Sequence, residues 1–208
     1  MKFKLTSETK IWIGRTLYRI EALIDFASIK AGEKGGFVEK EENLSQVSGD
    51  AWVSGDAWVY GDAWVSGDAR VYGDAQVYGD AWVSGDARVY GNAQVYGNAQ
   101  VSGDARVYGD AQVYGNAQVS GDARVYGNAQ VSGDARVSPV NIIGLDYAIT
   151  ISDSHMIIGC EHHLISDWQT FDDRRIIQMD GARAAKFWKA HGPYLLALCA
   201  DRPGNQSE

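Results

Sequence analysis

The sequence predicts a mainly β fold: a left-handed parallel β-helix with 18 residues per coil, an N-terminal β cap before it and a small α+β module after it. Three observations carry this expectation. From Val47 to Arg136 the chain is fifteen consecutive units of the form V-[SY]-G-[DN]-A-x, without insertion or deletion, and a period of six marks a parallel β-helix. In each unit Ala and the next Val lie two residues apart, so in an extended segment both face inward while the residue between them faces out. A second period of eighteen lies over the first, because Val47, Val65, Val83, Val101, Val119 and Val137 are all followed by Ser. Three units therefore close one coil, and the repeat forms a triangular prism of five coils, roughly 24 Å long at about 4.8 Å per strand.

Three segments follow: residues 1–46, 47–138 and 139–208. The first contains a short alternating run at Lys2 to Thr6, then Trp12 and Ile13, then Thr16 to Phe26. β-branched and aromatic residues dominate these stretches, so each reads as a strand. Lys30 to Gly36 is polar and rich in glycine, which suits a connecting turn. It lacks the spacing of a phosphate-binding loop.

L-Y-R-I-E-A-L-I-D-F at Leu17 to Phe26, K-A-G-E-K-G-G-F-V-E at Lys30 to Glu39, N-L-S-Q at Asn43 to Gln46 and the G-D-A-W-V units that follow resemble a group of bacteriophage and prophage hexapeptide-repeat proteins of uncharacterised activity. The resemblance covers roughly two-thirds of the chain. It implies a β-helix with an N-terminal lead-in, and it carries no catalytic residues.

Within the repeat the glycines exclude a long helix, since each would cost roughly 1 kcal/mol. They suit corners instead, together with the Asp or Asn that follows. The eighteen-residue period sorts the outward residues into three faces. The first presents Trp52, Arg70, Arg88, Arg106 and Arg124; the second Trp58, Gln76, Gln94, Gln112 and Gln130; the third Gln46, Trp64, Trp82, Gln100, Gln118 and Arg136. Tyr72, Tyr90, Tyr108 and Tyr126 follow the first face, and Tyr60, Tyr78, Tyr96 and Tyr114 follow the second. Each Arg lies two residues after an Asp, which allows a compensated Asp/Arg lattice. The alternative is an exposed ladder of Arg70, Arg88, Arg106 and Arg124, flanked by Tyr72, Tyr90, Tyr108 and Tyr126, that binds a repeating anion or an acidic partner. Trp52, Trp58, Trp64 and Trp82 cluster at the start of the prism, where an interface or the N-terminal segment is expected to cover them.

Pro139 ends the repeat by removing a ladder donor. Beyond it, Tyr147 to Ser152 and His155 to Cys160 read as a hairpin around Asp153-Ser154. Ser166 is the expected N-cap of a helix through Trp168, Phe171 and Ile176, and Asp180 that of a second through Ala184, Phe187 and Trp188. Gly192-Pro193 is expected to break this helix, with a last apolar turn from Tyr194 to Cys199 and a frayed tail from Asp201.

The net charge of −8 argues against general nucleic-acid binding. The repeat holds 11 of the 27 acidic residues against 5 of the 19 basic ones. The two cysteines, Cys160 and Cys199, imply no disulfide framework. Without an apolar leader or a transmembrane-length run, no membrane association is expected, and location in the host cytoplasm or a virion follows. All four histidines are C-terminal: His155, His162, His163 and His191. Cys160, His162 and His163 are the weak metal candidates, but their spacing matches no paired zinc motif. A Cys160/His nucleophile lacks an orienting third group.

The repeat itself contains no His and no loop, whereas prism-type acyltransferases use a loop-borne His and bind CoA along the prism. The leading expectation is therefore a non-catalytic structural or partner-binding protein without a cofactor, homotrimeric by analogy with this prism class. A CoA-dependent acyltransferase and a counter-defence factor binding a host protein or a small anionic signal are the alternatives.

Overall fold

The structure is a computed structural model and describes residues 1–47, 49–132, 140–142, 144–152 and 154–200. The chain divides into two compact units, Met1–Ser138 and Pro139–Glu208.

The first unit is a parallel β-solenoid entered through three antiparallel strands. Strand β1 (Phe3–Trp12) pairs with β2 (Arg15–Ala22), and β2 pairs with β3 (Lys34–Val38). The expected breaks between Lys2–Thr6 and Trp12 are absent: β1 is continuous and takes up its irregularity as a register shift between Leu5 and Thr9. Ile13 and Gly14 turn the chain, both at positive φ (46° and 74°). A turn with two left-handed residues matches the twist of paired strands.

The glycine-rich segment is only partly a turn. Lys30 to Glu33 reverse the chain, but Gly35 and Gly36 lie inside β3 and are buried. A Cβ on Gly35 would stand 2.5 Å from the Val53 carbonyl oxygen, and one on Gly36 would stand 2.7 Å from that of Ala57. Glycine is therefore set here by close backbone approach, a packing cause that composition does not reveal.

Strand β3 pairs in parallel with Trp58–Val59, Phe37 opposite Trp58 and Val38 opposite Val59, so it occupies the place of a coil beneath the second face. On the third face Leu44 bridges to Val65, and the Asn43 amide donates to the Gly61 and Ala63 carbonyls. Leu44 thus fills the first inward position. Val47, expected inside, is 96% exposed. Gln46, expected in the outward row, turns its amide to β1 instead: Oε1 accepts from the Lys2 and Phe3 amides, and Nε2 donates to the Phe3 carbonyl.

From Trp52 onward the chain follows the three-face scheme. One sheet stacks Trp52, Arg70, Arg88, Arg106 and Arg124; a second stacks Trp58, Gln76, Gln94, Gln112 and Gln130; a third stacks Trp64, Trp82, Gln100 and Gln118. The expected third-face Arg136 lies outside the described residues. From Ala51 to Val131 every Ala and Val of the repeat is buried. The core is thus narrow and uniform, and the backbone ladder runs through strands and corners alike. The amides of Arg70, Tyr72 and Asp74 donate to the carbonyls of Ala87, Val89 and Gly91 at 2.9, 3.0 and 2.9 Å. Gly67 shows what the corners demand. Its φ is +66°, and a Cβ there would lie 2.8 Å from the amide nitrogen of Gly85 in the next coil.

The second unit is a four-stranded antiparallel meander, Val140–Ile142, Ile149–Ile151, His155–Ile158 and Glu161–Leu164, followed by helices α1 (Ile165–Thr170) and α2 (Asp173–Ala200). The expected hairpin is its central pair; Asp153 of that turn lies outside the described residues. Ser166 is not the cap of α1, because the helix begins at Ile165 behind an extended Leu164, where Ile165 is drawn into the core. Segment α2 is interrupted at Asp180 (φ −149°, ψ 41°) and Gly181 (φ 60°, ψ −146°), where a second helix was expected to start. Gly192-Pro193 does not break it. Leu195 and Cys199 are buried in the same cluster as Phe187, and this burial holds the chain helical across the proline. The expected frayed tail from Asp201 falls outside the described residues. No helix among the described residues is long and apolar enough to cross a membrane.

Candidate functional site

The solenoid surface carries two ladders that the coil register assembles. Arg88 pairs in the sheet with Arg70 on one side and Arg106 on the other, and Arg106 with Arg124. At the adjoining corner Tyr72, Tyr90, Tyr108 and Tyr126 stack with ring centroids 4.8, 4.9 and 5.3 Å apart and planes within 10° of parallel. Burial in the stack, and then the Tyr90 hydroxyl, raise the pKa of Tyr72 above its ordinary value. The first coil has Ser54 in place of a tyrosine, so the stack ends there. The opening is lined by Ser54, Arg70, Tyr72 and Arg88.

The Asp/Arg lattice does not form at Arg70, Arg88 and Arg106. Among the described residues, no ion pair joins Arg70, Arg88 or Arg106 to an aspartate. Asp68, for example, accepts from the Asp50 amide at 2.7 Å. Opposite charges occupy separate columns instead. The corner before the Arg face is aspartate throughout, at Asp50, Asp68, Asp86, Asp104 and Asp122. In the other two corners asparagine is interleaved. Asn92 donates to Asp110 at 2.9 Å and Asn98 to Asn116 at 3.0 Å, so amides and carboxylates share these two columns.

The second tyrosine row, Tyr60, Tyr78, Tyr96 and Tyr114, stacks equally closely. Tyr78 and Tyr96 donate to the Gln94 and Gln112 side-chain oxygens at 3.4 Å, which ties this corner to the second face. Burial, and then Tyr60 and Tyr96, push the Tyr78 phenol up to about 12.

The four tryptophans separate into two pairs. Trp52 is buried beneath Phe3 and Phe26, whose rings meet its edge at 6.5 and 5.4 Å. Trp58 is half-buried against Trp12 at 5.0 Å, with Lys10 over its ring. The N-terminal strands therefore cover Trp52 and Trp58, and Trp52 is a core residue and not a docking residue. Trp64 and Trp82, 5.4 Å apart on the third face, stay 38% and 50% exposed.

In the second unit the run Cys160-Glu161-His162-His163 is taken apart by the strand. His162 and His163 are consecutive in an extended segment and point to opposite sides. His162 meets His155 at 4.9 Å, and desolvation, followed by His155 and His163, lowers its pKa. His163 bonds Glu161 at 2.7 Å and packs on Trp168 and Phe171. Cys160 is exposed at the preceding turn. No group of three or more His, Cys, Asp or Glu with metal-binding geometry occurs among the described residues. His191 packs on Phe187 at 4.8 Å.

A cavity of about 300 Å³ lies between the meander and α2, with Cys160, Glu161 and Asp180 among its lining residues. Sequence reasoning missed it, although the Asp180-Gly181 interruption and the spacing of Trp168, Phe187 and Trp188 marked the helical contributors.

No curated protein matches the chain. A family model described as the YdcK beta solenoid repeat matches residues 45–61, 63–79, 75–91, 81–97, 93–109, 99–115 and 117–130, so the repeat of this chain is similar to that beta solenoid from its first coil to its last described one.

Proposed function

We propose that this is a non-catalytic partner-binding or structural protein of phage or prophage type, in which the solenoid is a rigid rod that presents Arg70, Arg88, Arg106 and Arg124 beside Tyr72, Tyr90, Tyr108 and Tyr126. The observation that carries this reading is the register. From Trp52 to Val131 the coils repeat without a loop, and the guanidinium row lies at strand spacing with no aspartate pairing Arg70, Arg88 or Arg106 among the described residues. Such a row suits a partner with an acidic strip, because guanidinium groups bind carboxylates bidentately and stack on aromatic rings. The exposed Trp64 and Trp82 favour contact between copies, which in a three-sided prism gives a homotrimer. Resemblance of the Leu17–Gln46 stretch to phage and prophage hexapeptide proteins supports an origin there, with residence in the host cytoplasm or a virion.

Incubation of the purified chain with acetyl-CoA and amine or hydroxyl acceptors separates this reading from an acyltransferase. The expected result is no acceptor-dependent release of CoA thiol. Release that disappears in His162→Ala or His191→Ala would overturn it.

A further inference from the structure

The cavity of the second unit combines two features that point to one kind of ligand. Its walls join four aromatic rings to Ile158, Ile176, Met179 and Ala184: Tyr147 meets Phe187 edge-on at 4.9 Å, and Trp168 lies 5.1 Å from Trp188. Its charged lining is acidic only. Glu161 and Asp180 contribute carboxylates, and no basic side chain lines it among the described residues. Arg175, 3.9 Å from Glu161, and Arg183, 4.8 Å from the Tyr147 ring centroid, flank this wall without lining the cavity.

The two carboxylates differ in what already engages them. Glu161 accepts from His163 and has Arg175 nearby. Asp180 accepts a hydrogen bond from the Tyr147 hydroxyl at 2.6 Å and, among the described residues, makes no ion pair. The interruption of α2 at Asp180-Gly181 places this carboxylate in the cavity lining.

We propose that this cavity binds a small organic cation, an alkylated or quaternary ammonium group. The aromatic faces would receive its alkyl substituents, and Asp180 would complement its charge. Ring faces attract such cations through their quadrupoles, most strongly where water is excluded. A volume of about 300 Å³ stands at the lower end of ligand pockets, which suits a ligand of this size. The assignment is independent of the solenoid surface and of any role for it.

The test is calorimetric titration of the full chain with choline and with 3,3-dimethylbutan-1-ol, its neutral carbon isostere. Choline should bind saturably and roughly tenfold more tightly than the alcohol, the difference expected of a cation set on aromatic faces beside a carboxylate. Asp180 is exposed, so Asp180→Asn should keep the fold, checked by circular dichroism, and should weaken choline roughly tenfold while leaving the alcohol unchanged. Tyr147→Phe keeps both the ring and the carboxylate and should retain choline. Equal affinity for the two probes, no saturation at millimolar choline, unchanged choline affinity in Asp180→Asn, or equal loss in Tyr147→Phe would each overturn the proposal.

Discussion

Arg88 is held between Arg70 and Arg106 by the sheet register, and like charges about 4.8 Å apart repel by on the order of 1 kcal/mol in water. A stabilising Asp/Arg lattice would make the arginine useful to the fold. Without such a pair Arg88 is a cost to the fold, which the proposed partner would offset. Arg88→Gln should therefore leave the thermal midpoint unchanged or raise it, and a fall of several degrees in a melt would restore the lattice. Tyr90 works the other way: it stacks on Tyr72 and Tyr108, and Tyr90→Ser should cost about 1–3 kcal/mol in denaturant unfolding by losing both contacts. The residues of these ladders were legible because an eighteen-residue period fixes which side chains become neighbours. Whether Arg88 pairs with aspartate was not, since sequence spacing places the two groups near each other without setting their rotamers. Val47 fits the repeat by sequence yet lies outside the core, because Leu44 enters the position first.

The N-terminal strands are the element that finishes the rod. Without them Trp52 and Trp58 would be bare and the starting edge of the second sheet unpaired. Ion pairs fasten them to the first coil and to each other. Lys10 holds Asp56 at 2.8 Å, Lys40 holds Asp62 at 2.6 Å, and Arg19 and Lys34 share Glu8. Hydrogen bonds from these partners lower the pKa of Glu8 from 4.5 and of Asp56 and Asp62 from 3.8. A carboxylate with a depressed folded pKa stabilises the fold above its unfolded pKa and loses that contribution as pH falls through the folded value. Below about pH 4, protection factors from hydrogen exchange should thus fall in β1 before they fall in the later coils. Equal protection of the two regions down to pH 3 would contradict this order. A cap was legible from the tryptophan cluster, but its route was not. Gly35 and Gly36 looked like turn residues because only tertiary contact with Val53 and Ala57 explains them. Pro193 looked like a helix stop because local propensity ignores the burial of Leu195 and Cys199.

For the whole molecule, the repeat dictates a parallel solenoid of unlike faces, and the second unit adds a small core of its own around Ile151, Trp168 and Phe187. Repetition made the first unit legible, since one unit solved is every unit solved. The second has no period, so its cavity depends on a convergence of strand and helix that spacing cannot give. Sedimentation at micromolar concentration should show a homotrimer, with Trp64→Gln/Trp82→Gln shifting it toward monomer. A wild-type monomer would leave the exposed indoles without the role assigned to them.

As proposed, the arginine row is a binding surface for an acidic partner. Fluorescence anisotropy with a labelled oligoglutamate peptide tests it most directly, comparing the wild-type chain with Arg88→Glu/Arg106→Glu. Salt-sensitive binding to the wild type is expected, with at least a roughly tenfold loss in the double variant, because two charge-assisted contacts become repulsive. No binding to the wild type, or equal binding by both proteins, would contradict it.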